Sequence, residues 1–198
     1  MHCLRCAQPG PNTLMQTPQT YTCGRCLITP PQFDQTYSKF TYCPRMKTLI
    51  HAMKFEGDFK IATYLGQSLL TELPDRQQCP WDTLIPMPLH PQRWVQRGFN
   101  PAQWIAHAVS DTIHRPVKTN CLIKTEHTLP MSTQKNRAHT PAPKFKALTQ
   151  LSGLHIALVD DVMTSGITAN SAASALKQAG AMSVDLLVPV RVLKTIRN

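Results

Sequence analysis

The sequence predicts an α/β domain with a mainly parallel sheet, preceded by a small cysteine-rich module. The apolar run Leu154–Leu158 is typical of a strand that is buried on both faces of a parallel sheet. An acidic, hydroxyl-rich loop follows this run, and then a helix begins that Gly180 ends, with an apolar side formed by Ala169, Ala172, Ala173 and Leu176. Residues 1–30 instead carry paired cysteines and several prolines. We therefore expect a module over residues 1–30 and an α/β domain over residues 31–198.

Length and composition place the chain among ordinary globular proteins. Its 198 residues suit one domain of usual size with a small addition. No apolar run reaches the length of a membrane span, and the N-terminus lacks a signal-peptide pattern, so we expect a cytoplasmic protein. The seven cysteines are an odd number, which together with a cytosolic location argues against a disulfide framework.

Two Cys-x-x-Cys pairs predict a structural zinc site in the module. Cys3 and Cys6 form the first pair, and Cys23 and Cys26 form the second. Each pair places two sulfurs on one side of a tight turn, and four thiolates complete a tetrahedral zinc site with no open position for catalysis. The proline-rich segment between the pairs cannot build a core, so a metal is needed to fold it. The alternatives are unrelated thiols or a redox motif, but a redox motif belongs at a helix start in a βαβ unit, where we expect neither pair.

The remaining cysteines, Cys43, Cys79 and Cys121, have no partner at metal-ligand spacing. We expect all three to be packing residues.

The loop after the strand predicts a site for a phosphorylated sugar. Asp160 and Asp161 can accept hydrogen bonds from neighbouring sugar hydroxyls. The helix N-terminus favours a phosphate, Gly166 lets the backbone approach it closely, and hydroxyl donors come from Thr164, Ser165 and Thr168. The alternative is an ordinary strand–loop–helix connection with an acidic end and a threonine cap.

The region between the module and this loop predicts helices, a strand and a cationic segment. Phe33–Tyr42 reads as extended, Pro44 begins a helix that closes after Lys54, and a second amphipathic helix follows with Ile61, Leu65, Leu69 and Leu70. From physics alone, Lys54 is a partner for the helix dipole. Leu84–Pro88 reads as a short buried strand with a proline at its exit.

A segment with alternating cations and aromatics follows that strand. Arg93 and Arg97 would share one face of a helix, with Trp94 and Phe99 interleaved. Guanidinium groups beside aromatic rings suit phosphate binding and base stacking. The alternative is a helix with a solvated arginine edge and buried aromatics.

Positive charge is concentrated in one part of the chain. The net charge is +10, and residues 115–146 contain Glu126 as their one acid against Arg115, Lys118, Lys124, Lys135, Arg137, Lys144 and Lys146. Such a surface attracts polyanions or simply aids solubility. Residues 125–147 form a long polar, proline-containing stretch, which suits either a loop that covers an anion or an ordinary surface loop. Val184–Val192, interrupted by Pro189, reads as the last strand, and it contains Arg191.

Leu158–Thr168 resembles the PRPP motif of type I phosphoribosyltransferases, which consists of two hydrophobic residues, two acids, two hydrophobic residues and a Thr-Ser/Thr-Gly-x-Thr loop. The resemblance implies that Asp160 and Asp161 hold the ribose 2′- and 3′-hydroxyls. It also implies that the loop wraps the 5-phosphate, so the PRPP-binding set continues with Val162, Met163, Thr164, Ser165, Gly166, Ile167 and Thr168. Mg²⁺ is the expected companion of PRPP, because it prefers phosphate and carboxylate oxygens.

The order of motifs over nearly the whole chain resembles the ComF family of competence proteins, also called the ComFC or GntX group. The order comprises four cysteines, Lys54 at a helix end, Ile-Pro-Met-Pro-Leu at 85–89, Arg-Gly-Phe-Asn at 97–100 and the PRPP motif. This resemblance implies a type I phosphoribosyltransferase-like domain and a cytosolic step of natural transformation that handles incoming single-stranded DNA. The DNA or phosphate contacts would come from Lys54, Arg93, Trp94, Arg97, Phe99, Lys135 and Arg137. It also implies a competence helicase and a recombination mediator protein as partners.

Two other functions fit the same motifs. One is an enzyme that moves ribose 5-phosphate from PRPP to a nitrogen acceptor, although the sequence shows no acceptor pocket. The other is a PRPP sensor without turnover.

Overall fold

A computed structural model describes residues 2–10, 21–73, 79–125 and 144–193. Within these ranges the helices are α1 (Gly24–Ile28), α2 (Pro44–His51), α3 (Phe59–Leu69), α4 (Pro91–Arg97), α5 (Pro101–Ile113) and α6 (Ile167–Gln178), and a π-helical turn (Ala52–Glu56) continues α2. The strands are β1 (Thr36–Tyr37), β2 (Phe40–Thr41), β3 (Thr83–Pro86), β4 (Leu122–Lys124), β5 (Phe145–Ala147), β6 (His155–Val159), β7 (Val162–Met163), β8 (Ser183–Leu187) and β9 (Val190–Arg191).

The central sheet is parallel and has the strand order β1-β8-β6-β3. Its register places Ala157 of β6 beside Leu84 of β3 on one side and Asp185 of β8 on the other. The predicted fold class, a mainly parallel α/β domain with an N-terminal four-cysteine cluster, is confirmed. Because parallel strands end at one edge of the sheet, the segments after β3 and β6 emerge side by side, where α/β proteins place their ligands.

Alternating residues of β6 pack into two apolar clusters, one on each face of the sheet. Ile156 and Leu158 join the cluster that contains α6, whereas Ala157 and Val159 join the cluster that contains α3 and α5. The predicted apolar side of α6, formed by Ala169, Ala172, Ala173 and Leu176, is buried throughout. Trp81, on the second face, donates an indole hydrogen bond of 2.9 Å to Asp185, so this buried carboxylate has a polar partner.

A second, smaller parallel sheet has the order β2-β9-β7. The last strand predicted over Val184–Val192 is two strands, β8 in the central sheet and β9 in this one. Pro189 lies between them and has no N–H to donate to a ladder, which explains the break. Its carbonyl accepts a hydrogen bond from the Phe40 N–H at 2.8 Å, so the chain crosses between the sheets without losing that acceptor.

Several smaller expectations have mixed outcomes. Cys79 and Cys121 are buried as predicted, but Cys43 is exposed where α2 begins, so its assignment as a packing residue was wrong.

The polar stretch predicted over residues 125–147 ends in β5, which pairs antiparallel with β4. Residues 126–143 of that stretch lie outside the described residues. None of the described helices combines the length and the apolar character that a membrane crossing requires.

Candidate phosphate and metal sites

The two acids lie at the carboxyl end of β6, in the middle of the sheet edge. The Asp160 N–H donates to the Leu187 carbonyl of β8 at 3.1 Å, and the Asp160 carboxylate accepts the Asp161 N–H at 2.9 Å. Asp161 is buried, with 9% of its surface exposed. Burial, and then the neighbouring charge of Asp161, raises the pKa of Asp160 to about 7. The pair is therefore held in place by the backbone of two strands.

Lys54 pairs with Asp161 across the site. Its Nζ lies 2.8 Å from Oδ1 and 2.7 Å from Oδ2 of that carboxylate. Lys54 belongs to the π-helical turn, whose extra residue changes the direction of the side chains, and Gly57 ends the turn in the left-handed region with a φ of 72°. Single π turns are frequent at functional sites. Thus the lysine that physics alone assigned to a helix dipole has a carboxylate partner.

Two further cations, Arg97 and Lys124, lie near the acids, and Arg93 lies near both of them. Burial lowers the pKa of Arg97, while the charge of Asp161 opposes this shift and that of Arg93 adds to it. Burial also lowers the pKa of Lys124, with a further decrease from Arg93 and an opposing effect of Asp160. These mutual effects require the charges to lie near one another. Lys54 therefore contacts the acid pair, and Arg97 and Lys124 lie near enough for the charge of the acids to act on them.

Helix α4 is a surface helix with no buried residue. Its Trp94 is 48% exposed. By contrast, Phe99 stacks on Trp104 with ring centroids 4.3 Å apart and planes 7° from parallel. The Arg97 guanidinium lies 5.1 Å from the ring centre of the exposed Phe55. The predicted cationic and aromatic segment thus divides into an accessible Trp94 and a packed Phe99.

The loop that follows the acids leads directly into the start of α6. Gly166 precedes the helix with a φ of 82°, in the left-handed region that favours glycine. The Ile167 N–H donates to the Ser165 hydroxyl at 3.4 Å, which orients the first turn. A Cβ at Gly166 would lie 2.7 Å from Cε of Met163. The N–H groups at the start of this helix can bind a phosphate, as the sequence predicts.

Arg191 binds the backbone at the beginning of this loop. Its Nη1 donates to the carbonyls of Met163 at 3.0 Å, of Val192 at 2.6 Å and of Thr164. Its Nε donates to the Cys6 carbonyl at 2.8 Å. Burial lowers the pKa of Arg191, and the charge of Cys6 opposes that shift. A second arginine, Arg25, donates to the Ser165 carbonyl at 3.3 Å.

The four cysteines of the module converge on one point. The Sγ atoms of Cys3, Cys6, Cys23 and Cys26 all lie within 4.8 Å of one another, and those of Cys6 and Cys23 are 3.7 Å apart. A tetrahedral zinc ion with bonds of about 2.3 Å holds its sulfurs about 3.8 Å apart, so the arrangement fits such an ion. Burial, and then hydrogen bonds with Cys6 and Cys23, raises the pKa of Cys26. Four thiolates at this distance therefore need a cation to neutralise their charge.

The second cysteine pair lies at a helix start, but not in a βαβ unit of the described elements. Cys23 directly precedes α1, so the second pair does lie at a helix start. However, α1 has 5 residues and follows no strand of a βαβ unit among the described elements. Since a redox pair does not need two more sulfurs beside it, the convergence of all four favours a metal site over the redox alternative.

Comparisons with known proteins identify the family of this chain. The DNA utilization protein YhgH of Salmonella typhimurium is 34% identical over 86% of this chain and 78% of its own length. The chain belongs to the YhgH family. Its ComF relatives include competence protein F of Haemophilus influenzae, which is 26% identical over 83% of this chain and 76% of its own. The YhgH protein of Escherichia coli K12 is 28% identical over 96% of this chain and 84% of its own.

The chain was also compared with family models and with solved structures. No family model matches the chain. Among solved structures, a glutamine PRPP amidotransferase from B. subtilis covers 64% of this chain and 25% of its own, with 20% identity and a TM-score of 0.42. A purine phosphoribosyltransferase from Pyrococcus horikoshii covers 72% of this chain and 87% of its own, with 17% identity and a TM-score of 0.39.

The structure brings Lys54 to Asp161 and Arg97 near the same acid, with Arg93 beside Arg97. Lys135 and Arg137 lie outside the described residues. Three side chains at these sites were not among the predicted site residues. The missed residues are Lys124, Arg191 and Arg25. Lys124 was counted only as part of a basic stretch, although it directly follows the apolar run Cys121–Ile123, which was a signal. Nothing in the sequence signals that Arg191 faces the loop.

We expect Gly166→Ala to destabilise the protein more than Gly98→Ala. Both glycines have a positive φ, which costs an alanine about 1–2 kcal/mol. A Cβ at Gly98 meets no atom within 4 Å, whereas one at Gly166 meets Met163. Thermal unfolding should show a decrease of roughly 2–4 °C for each kcal/mol. Equal melting temperatures for the two variants would show that the contact with Met163 costs nothing.

Proposed function

We propose that this chain handles incoming single-stranded DNA in the cytosol during natural transformation and carries a PRPP site at residues 160–168. Relatives named as competence and DNA utilization proteins support this role. The observation that carries the proposal is the contact of Lys54 with Asp161 beside the start of α6, with Arg97 and Lys124 near the acids and Arg93 near these two cations. A site with two acids and several nearby cations suits a ligand that has both hydroxyl donors and phosphates.

The chemistry of PRPP corresponds to this arrangement part by part. Its ribose hydroxyls can donate to Asp160 and Asp161, and its 5-phosphate can accept from the N–H groups at the start of α6. A carboxylate offers about four lone-pair sites, so Asp161 can keep its contact with Lys54 while it accepts a hydroxyl. The surrounding cations are available for the pyrophosphate.

Mg²⁺ fits this donor set, because it prefers carboxylate and phosphate oxygens and retains several waters. Bound with PRPP, it would neutralise part of the pyrophosphate charge, with Asp160 and Asp161 as the nearby protein carboxylates.

The surface of α4 suits a nucleic-acid strand. Trp94 offers an accessible ring, and Arg93 and Arg97 offer charges on the same side of the helix. Phosphate neutralisation and base stacking together give binding that tolerates any sequence. The competence helicase and the recombination mediator would then be the proteins from which the strand arrives and to which it passes.

One observation favours the second candidate, a phosphoribosyltransferase. Asp160, whose pKa burial and Asp161 raise to about 7, is a carboxyl group that can take a proton from a nitrogen acceptor near neutral pH. A screen of nitrogenous bases with radiolabelled PRPP separates the two. Pyrophosphate release that depends on one base identifies an enzyme, and its absence over the whole series leaves a binding protein.

We predict that PRPP binds only in the presence of Mg²⁺. The double variant Asp160→Ala with Asp161→Ala should bind PRPP more weakly. Hydrogen bonds to charged groups contribute roughly 1.5–3 kcal/mol each, so affinity should fall at least about tenfold. The backbone N–H groups of α6 should retain part of the phosphate contact. Calorimetry measures this, with the exposed Asp111→Ala as a control. Unchanged affinity in the double variant would count against the site.

We predict binding to single-stranded DNA that weakens steeply with salt. Arg97→Ala should lower the slope of log affinity against log salt by about 0.7, the single-strand value for one phosphate contact. Trp94→Ala should instead cost roughly 1–3 kcal/mol with little change of slope, because it removes a stacking ring. Titrations of a labelled oligonucleotide at several salt concentrations measure both.

The control for these titrations is Lys177→Ala, since Lys177 pairs with Asp34 near the amino end of β8. It should leave the slope unchanged. A flat salt response in the unaltered protein would remove DNA handling from the proposal and leave PRPP binding.

We predict one zinc ion per chain, bound by Cys3, Cys6, Cys23 and Cys26. Cys23→Ser should reduce the bound zinc and unfold the module while much of the α/β core remains folded, because a metal and an apolar core stabilise them separately. Elemental analysis of protein prepared without chelator, together with circular dichroism, tests both parts. Cys43→Ser is the matched control, since Cys43 is exposed and outside the cluster.

A further inference from the structure

Arg191 connects two sites that the sequence treats as separate. The side chain is 3% exposed, and its hydrogen bonds reach the Cys6 carbonyl in the first cysteine pair and the Met163 and Thr164 carbonyls in the phosphate loop. A planar guanidinium can hold several acceptors in fixed directions. One rigid group therefore sets the position of the loop relative to the cysteine module.

The charge of Arg191 has no carboxylate partner among the residues that the structure describes, for every ion pair found there involves other side chains. A buried cation is costly unless negative charge lies close by. The cysteine cluster can supply this charge, because a dication held by four thiolates keeps a net double negative charge. Without the metal, the module loses the ion that fixes its four sulfurs, and with it the fixed position of the Cys6 carbonyl that Arg191 contacts.

We propose that Arg191 is a positioning residue that couples metal loading of the cysteine module to the order of the phosphate loop. The loaded module stabilises the buried guanidinium, and the guanidinium holds the carbonyls of Met163 and Thr164 so that the following N–H groups face the ligand. Arg25, which lies between the two cysteines of the second pair, also donates to the loop, through an exposed hydrogen bond to the Ser165 carbonyl. Metal loss should therefore loosen a loop that contains no metal ligand.

Amide hydrogen exchange tests this coupling without any phosphate ligand. In the unaltered protein, removal of the metal by a chelator should speed exchange of residues 162–168 at least about tenfold, within the range of measured coupling between connected groups. In Arg191→Gln the same amides should already exchange fast, and the chelator should add little. Amides of Ile156–Val159 serve as the internal reference, because this strand is buried in the core.

Arg191→Lys separates charge from geometry. A lysine keeps the positive charge but lacks the fork that reaches several carbonyls. We expect this variant to retain zinc against a competing chromophoric chelator nearly as well as the unaltered protein, whereas Arg191→Gln loses it severalfold more easily. In both variants the loop amides should exchange fast. Ile113→Ala, a core change in α5, controls for a general loss of stability.

Three results would overturn the coupling. In the first, the chelator leaves residues 162–168 unchanged in the unaltered protein. In the second, the effects of the chelator and of Arg191→Gln multiply as independent changes. In the third, metal removal speeds exchange equally in the loop and in Ile156–Val159, and Ile113→Ala shows the same pattern. A global loss of stability would then explain the result, because it does not single out the loop.

The functional consequence rests on the proposed PRPP site and is measured separately. Calorimetry with PRPP and Mg²⁺ should show weaker binding after metal removal and in Arg191→Gln, each at least about tenfold, and no further loss when both are combined. If the unaltered protein does not bind PRPP, the proposed function fails while the exchange results still decide the coupling. If PRPP binds with equal affinity before and after metal removal, the coupling fails while the proposed function stands.

Discussion

The parallel pairing of β3 with β6 is the constraint on which the site depends. It joins two segments that lie far apart in sequence, and it brings their carboxyl ends to one sheet edge. The register from Thr83↔Ile156 to Pro86↔Val159 then fixes where α4 leaves β3 relative to the acids that follow β6. A slip of one residue would exchange the faces of β6, so that Ile156 and Leu158 would meet the cluster of α3 and α5 in place of Ala157 and Val159, and the packing of both clusters would be disrupted. The apolar core thus specifies the position of the charged site.

The electrostatics of the site follow from this geometry. Two adjacent carboxylates at a buried strand end repel each other, and the raised pKa of Asp160 reflects both burial and the charge of its neighbour. Lys54 compensates Asp161 directly, while Arg97 and Lys124 lie near the pair and are both repelled by Arg93. A polyanion with hydroxyl groups would relieve both kinds of repulsion at once.

Local sequence patterns predicted the elements well, because each depends on neighbours in the chain. The apolar period of α6, the proline that begins α2 and the glycine after the π turn all have local physical causes. The break at Pro189 was harder, since a strand and its continuation in a second sheet have the same apolar pattern.

The site residues also divide into those with a local sequence signal and those that only tertiary structure reveals. Asp160, Asp161 and Lys54 stand next to recognisable motifs. Arg191, however, looks like any basic residue at the end of a strand, and only tertiary structure brings it to the loop and to Cys6. The exposure of Trp94 and the packing of Phe99 were equally out of reach, because the sequence cannot show which ring has a stacking partner.

The π turn makes the site sensitive to chain length at one position. Each residue of a helix advances by about 100°, so deletion of one residue between His51 and Lys54 would restore a regular helix but rotate the helix face by that angle. The amino group would then point away from Asp161, while the apolar contacts of Met53 would be lost as well. A change that makes the helix more regular would therefore leave a buried acid uncompensated. Insertions and deletions here should be tolerated far less than point substitutions on the exposed face of α2.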